Sequence, residues 1–181
     1  MSIPQWYAGQ VITADRLNAR NLMLVEQSDD QEASSTSLET SQITVSLEPG
    51  AVYAYWLYLS FVAHRTNNLR WQWDTPGTTI ASFTQATARG DSTGHNAARE
   101  VVFRRPRATT NKIAGGTSQL DPGDGSIVSV VQSAYDSGTL FTSAGNPSLT
   151  LLFSKESNDV SDAPTTLRGG NQTRLLYQRI A

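Results

Sequence analysis

The thirteen residues from Ala51 to Ala63, Ala-Val-Tyr-Ala-Tyr-Trp-Leu-Tyr-Leu-Ser-Phe-Val-Ala, contain no charge, no glycine and no proline. The run falls short of the roughly 20 residues that a helix needs to cross a bilayer. In an extended chain Tyr53, Tyr55, Leu57, Leu59 and Phe61 share one side, and Val52, Trp56, Tyr58 and Val62 share the other. Aromatic and β-branched content favours a strand, although the period alone leaves a buried helix open. A strand apolar on both faces must be covered on both. It therefore belongs in the middle of a sandwich or beneath a subunit interface.

The sequence around this run keeps a period of two. Ile43, Val45 and Leu47 alternate with Thr44 and Ser46, and Glu48-Pro49-Gly50 turns the chain into the central run. Leu69, Trp71 and Trp73 alternate with Arg70, Gln72 and Asp74, followed by a Pro76-Gly77 turn. Further strands are expected at 79–85, 100–105, 126–132, 138–142, 149–154 and 174–180, with loops over 86–99, 106–125 and 157–170. No helix signal follows residue 27. Short strands separated by turn signals predict an all-β fold, a β-sandwich of jelly-roll type.

The first 36 residues differ in character. Residues 1–12 hold Trp6 and Tyr7 without core periodicity and read as an extended arm. Thr13 to Gln27 is the one helix candidate: Thr13 suits an N-cap, Asp15 suits the first turn, and Leu17, Leu24 and Val25 follow helical spacing. Gln27 to Thr36 is polar and acidic, a linker. Two parts are thus expected, residues 1–36 as arm, helix and linker and residues 37–181 as the sandwich. Two aromatics on a terminal arm and a helix marginal by itself call for something to pack on, either their own domain or a partner chain.

Candidate chemistry is sparse. There are no cysteines, which removes disulfides, thiolate zinc sites and cysteine nucleophiles. The net charge of −2 gives no electrostatic case for nucleic acid or an anionic membrane. The opening Met-Ser-Ile-Pro-Gln-Trp lacks the regions of a signal peptide, and no apolar run is long enough for a spanning helix. His64 and His95 have no second ligand at metal spacing. Asp121 and Asp124 offer loop oxygens to calcium, but Asp-Pro-Gly-Asp-Gly is more simply turn chemistry. Asp74, Glu100 and Glu156 are not brought together by any pattern, and no nucleophile elbow or phosphate loop is present. Arg89-Gly90-Asp91 is too short to be specific, and Arg104-Arg105-Pro106-Arg107 is too isolated for a nucleic-acid footprint. Trp71 and Trp73 are the best candidates for a glycan platform, against the simpler reading of two same-face core residues. No cofactor and no catalytic residue is expected.

The segment Trp6-Tyr7-Ala8-Gly9-Gln10-Val11-Ile12-Thr13-Ala14-Asp15-Arg16-Leu17-Asn18 resembles a signature of tailed-bacteriophage virion proteins, those of phages infecting actinobacteria in particular. In that family a Trp, a Gly, a Thr-Ala pair and a Leu-Asn pair recur in this order, matched here by Trp6, Gly9, Thr13-Ala14 and Leu17-Asn18. The Trp-x-Trp strand and the Arg-Ile near the C-terminus are similar to the β-rich head domains carried on such arms. No collagen-like or heptad stalk follows, which departs from a long fibre. The resemblance implies a non-enzymatic structural role in a virion assembled in the host cytoplasm. A minor tail or baseplate-associated protein is the first expectation, and a capsid decoration or head-fibre protein the alternative. A carbohydrate-binding module is the alternative of a different class. Trp6, Tyr7, Leu17 and Leu24 would dock on other virion proteins, the chain would form a homo-oligomer, a trimer by preference, and host-surface glycan is an expected contact of the sandwich.

Overall fold

A computed structural model describes residues 9, 11, 21–64, 66–89, 100–104, 112–114, 119–120, 127–128, 131–158 and 163–181, with the backbone alone for 81–89, 100–104, 112, 119–120 and 127–128. Every regular element among the described residues is a strand. In chain order they are β1 (Met23–Glu26), β2 (Gln31–Ala33), β3 (Glu39–Ser46), β4 (Val52–Val62), β5 (Leu69–Asp74), β6 (Thr78–Arg89), β7 (Glu100–Arg104), β8 (Lys112–Ala114), β9 (Gln119–Leu120), β10 (Ile127–Val128), β11 (Gln132–Thr142), β12 (Ser148–Lys155), β13 (Thr165–Leu167) and β14 (Arg174–Arg179).

Two antiparallel sheets form the sandwich, and β9 pairs with β10 apart from them. The large sheet runs β1-β14-β4-β11-β6-β7, with β13 beside the end of β4 and β2 beyond it. The small sheet runs β3-β12-β5-β8. Eight of these strands pair in a nested way: β1 with β14, β3 with β12, β4 with β11, and β5 with β8. First meets last, second meets seventh, third meets sixth, and fourth meets fifth. This is one long antiparallel hairpin rolled over on itself, the jelly-roll arrangement. The β6–β7 hairpin extends the large sheet past β11.

The central run Ala51–Ala63 is therefore the strand β4, in the middle of the large sheet. It pairs with β11 along one edge, and with β14 and then β13 along the other. Tyr53, Tyr55, Leu57, Leu59 and Phe61 are all buried. They face Ile43 and Val45 of β3, Leu69, Trp71 and Trp73 of β5, and Leu149, Leu151 and Phe153 of β12 in one core. Burying each large apolar side chain of this kind contributes about 1.5–3 kcal/mol, so the two facing inner surfaces hold the sheets together.

One polar group crosses that core. Asp136 on β11 is 1% exposed. Its Oδ1 accepts from the Tyr55 hydroxyl at 3.3 Å and its Oδ2 from Trp73 Nε1 at 2.9 Å. Tyr55 also meets Trp73 edge-on at 5.7 Å. A buried carboxylate without donors is costly, so the Trp73 bond, which crosses from β5 to β11, specifies which rung of the large sheet sits over which rung of the small one, while the Tyr55 bond holds Asp136 in place within the large sheet. The turns follow the glycines: Gly50 and Gly77 adopt positive φ of 67° and 63° after their prolines.

Three expectations change. The helix expected over 13–27 does not reach its end: Met23–Glu26 is a strand in register with Tyr177–Arg174 of β14, while residues 13–20 lie outside the described residues. The free edge of β14 offers backbone partners along the whole segment, and tertiary pairing outweighs a marginal local preference. Second, the polar stretch 27–36 is no free linker. Gln27 is fully buried, its Oε1 accepting from Gln42 N at 3.1 Å and its backbone N donating to Thr173 O at 2.9 Å. Asp30 accepts from Gly169 N at 2.7 Å and pairs with Arg168, and β2 pairs with β13. The boundary expected between residues 36 and 37 thus falls inside the sandwich, since residues 23–33 belong to the large sheet. Third, residues 132–137 and 165–167 are strand. The inward position Asp136 and the glycine at 138 break the apolar alternation that would have marked β11.

Burial, with the Asp136 carboxylate beside it, holds the Tyr55 hydroxyl well above its usual value of 10.0, and burial raises Tyr177 as well. The unfolded chain ionises its tyrosines near pH 10 while the folded chain keeps these protonated, so folding stability is level below pH 10 and falls as the pH rises beyond it. Urea midpoints should drop between pH 9 and pH 11, and Tyr55→Phe should remove part of that drop. A second prediction concerns the loop before β14. A Cβ on Gly169 would fall onto the backbone of Asp29. Gly169→Ala should cost about 2 kcal/mol or more in urea unfolding, because two backbones must part to admit it.

Candidate functional site

Alternation gives the large sheet an outer face as well as an inner one, and the sequence loads that outer face with apolar groups. On β4 it carries Val52, Ala54, Trp56, Tyr58, Ser60 and Val62. The register sets the neighbours in rows. One row is Leu24–Leu176–Trp56–Ser137, and the next is Glu26–Arg174–Tyr58–Tyr135. Further along, Phe141 lies beside Val52. Leu24 is 52% exposed, Trp56 39%, Tyr135 45% and Phe141 41%. Leu176, Tyr58 and Val52 are half-buried between them. Four adjacent strands thus present a contiguous apolar and aromatic surface to solvent.

The surface is ordered. Tyr58 and Tyr135 meet edge to face at 5.4 Å and 89°, a geometry worth about 0.5–1.5 kcal/mol beyond the area it buries. The Arg174 guanidinium lies 5.3 Å from the centre of the Tyr58 ring, an attraction of about 0.5–1 kcal/mol at an exposed site. Arg174, Tyr58 and Tyr135 come from β14, β4 and β11, so three strands fix one aromatic ladder. Such a surface can exclude water against another apolar surface.

The residues singled out from the sequence are placed as follows. Leu24 sits on this outer face at the sheet edge. Trp6, Tyr7 and Leu17 lie outside the described residues, as do His95, Asp121 and Asp124. The glycan platform of Trp71 and Trp73 is not available: the two indoles are 0% and 1% exposed, packed in the core between the sheets. Their shared face is the inner face of β5, so the strand alternation that paired them also buries them. His64 is buried at the end of β4, with Nδ1 2.9 Å from Thr66 Oγ1. Asp74 pairs with Thr150 and Glu156 follows Lys155 on the same partner strand. The two carboxylates are therefore roughly 20 Å apart at about 3.4 Å per residue. Among the described residues no group of three His, Asp or Glu is placed to hold a metal ion. The sequence had flagged the two-faced strand; it could not show that Tyr135 and Phe141 of β11 lie beside Tyr58 and Val52, since that depends on register.

No protein-family model matches the sequence, and no curated protein matches it. Among solved structures the chain is similar to the VP2 subviral particle of infectious bursal disease virus at 13% identity and a TM-score of 0.23, covering 100% of this chain and 43% of that one. The Gx strain of the same virus gives 13% identity and a TM-score of 0.24, covering 42% of that chain. The chain thus spans less than half the length of these neighbours, and at such TM-scores nothing about its fold or function follows from them.

The core and outer-face aromatics separate experimentally. Trp71→Ala or Trp73→Ala should lower stability by about 3–5 kcal/mol, as expected for a large core side chain. Tyr135→Ala on the outer face should cost about 1 kcal/mol or less. Chemical denaturation of the three variants beside the wild type measures both.

Proposed function

We propose that this chain is a non-enzymatic structural component of a tailed-phage virion, a minor tail or baseplate-associated protein. Its N-terminal segment attaches it, and its jelly roll projects from the particle. One observation carries the reading: the segment that resembles the virion signature, Trp6 to Asn18, stands in the sequence four residues before β1, the edge of a sheet whose apolar outer face is exposed. A chain whose work is done in solution has no use for such a surface, and one that works inside an assembly does. The jelly roll by itself is silent here, since the same architecture serves capsid, lectin and cupin domains. A carbohydrate-binding reading has lost its platform with the burial of Trp71 and Trp73. Capsid decoration remains the alternative within the virion class, and copy number per particle separates the two: a tail tip needs few copies, decoration many tens.

The structure also sets where an attachment test must cut. Removal of residues 1–27 would strip β1 and the buried Gln27 from the sheet. Removal of residues 1–20 leaves both in place. The chain lacking residues 1–20, supplied during phage growth, should fold with the wild-type circular dichroism spectrum and be missing from purified particles that contain the full chain. Normal incorporation of the shortened chain would overturn the anchoring role of the segment. Absence of the full chain from particles would overturn the virion reading.

A further inference from the structure

The outer face of the large sheet has a self-complementary character, and we infer that a second copy of this chain covers it. The inference goes beyond the virion reading and stands without it. The apolar surface does not end at the sheet. Leu22, just before β1, is 52% exposed at the edge. It adds to the uncovered surface. β1 is an edge strand with Met23, Leu24 and Val25 and a single charge, Glu26, and it lacks the lysines or proline that usually blunt such an edge.

Size and charge point to a copy of the same chain. Large side chains bury about 150–250 Å² each. The exposed fractions of Leu24, Trp56, Tyr135 and Phe141 thus come to roughly 350 Å² in all. Leu22, the half-buried Leu176, Tyr58 and Val52, and the polar rim of Glu26, Arg174, Ser137 and Gln178 add to that area, toward the about 800 Å² per partner of a standard interface. Glu26 and Arg174 stand side by side in register on this face. One acid next to one base lets the same face on another copy set Arg174 against Glu26 in both directions. The net charge of −2 puts little repulsion in the way. A glycan is a poorer fit, because the Tyr58 and Tyr135 rings stand at 89° and give no common plane for a sugar to stack on.

Sedimentation equilibrium on the full chain tests this, with Tyr135→Glu, Phe141→Glu and Leu24→Glu as separate variants and Thr44→Glu, exposed on the opposite sheet, as control. The wild type and Thr44→Glu should have a mass of two or more chains at about 10 µM, and each face variant should associate at least tenfold more weakly, a loss of about 1.4 kcal/mol or more. Circular dichroism at 20 °C reports whether each variant is folded, and three positions on two strands keep the test open if one fails. A wild type that is monomeric up to about 100 µM, or an oligomer that all three folded variants leave intact, overturns the inference. A monomer whose face binds an apolar dye only after residues 1–20 are removed also overturns it, and assigns the surface to the chain's own N-terminal segment.

Discussion

The structure depends on a single constraint, the burial of β4. A strand of eleven residues with aromatic or aliphatic groups at nearly every position has no stable place at an edge or on a surface. It needs backbone partners on both sides, and it receives β11 on one and β14 with β13 on the other. The nested pairing of the remaining strands follows from that placement. Once β4 is central, the segments before and after it must return on either side, and the small sheet closes over the five inward side chains. The outward side chains are a consequence of the same strand. Alternation cannot load one face with Tyr53, Tyr55 and Leu57 without assigning Trp56 and Tyr58 to the other.

The inner face is specified by polar groups as well as by volume. Asp136, held by Tyr55 and Trp73, ties the large sheet to the small one at a single rung. Thr142 and Thr173 play a similar part at the borders of β4: Thr142 Oγ1 accepts from Ala51 N at 2.8 Å, and Thr173 Oγ1 accepts from Ser60 N at 3.1 Å. Bonds of this kind add only about 0.5–1.5 kcal/mol each, yet leaving one buried partner unsatisfied costs more. A one-residue slip of β11 against β4 would send Asp136 to the outer face and strip Tyr55 and Trp73 of their acceptor. The inward apolar residues already set this register, and the buried carboxylate adds to it.

How far the sequence could be read follows from the same physics. β3, β5 and β12 are legible because apolar residues alternate along them, and β4 and β14 because each is a short apolar run bounded by turn signals. β11 was half-hidden because two of its inward positions are Asp136 and Gly138, which serve the staple and the sheet rather than a hydrophobic face. β1 reads from the sequence as the end of a helix because Leu17, Leu24 and Val25 satisfy helical spacing, and four residues whose ladder partners lie on β14, about 150 residues away, leave no local sign of it. The acidic stretch 27–36 looked solvated because its side chains are polar. In the fold those polar groups satisfy loop backbone, as Asp30 does for Gly169. The outer face could be suspected from Trp56 and Tyr58 alone, but its extent could not, since Leu24, Tyr135 and Phe141 join it only through pairings that span the whole chain.

The retention of that outer face is itself informative. Exchanging Tyr135 or Phe141 for a polar strand former would leave the core untouched, because neither side chain points inward, and would lower the risk of misassociation. The inward residues have no such freedom. Arg174 stacked on Tyr58, and Tyr58 on Tyr135, form a ladder that orders exposed aromatics in advance of any contact. Rings already held in place lose less freedom when something covers them. A fold that needed only its core would have no reason to order the other side of its central sheet.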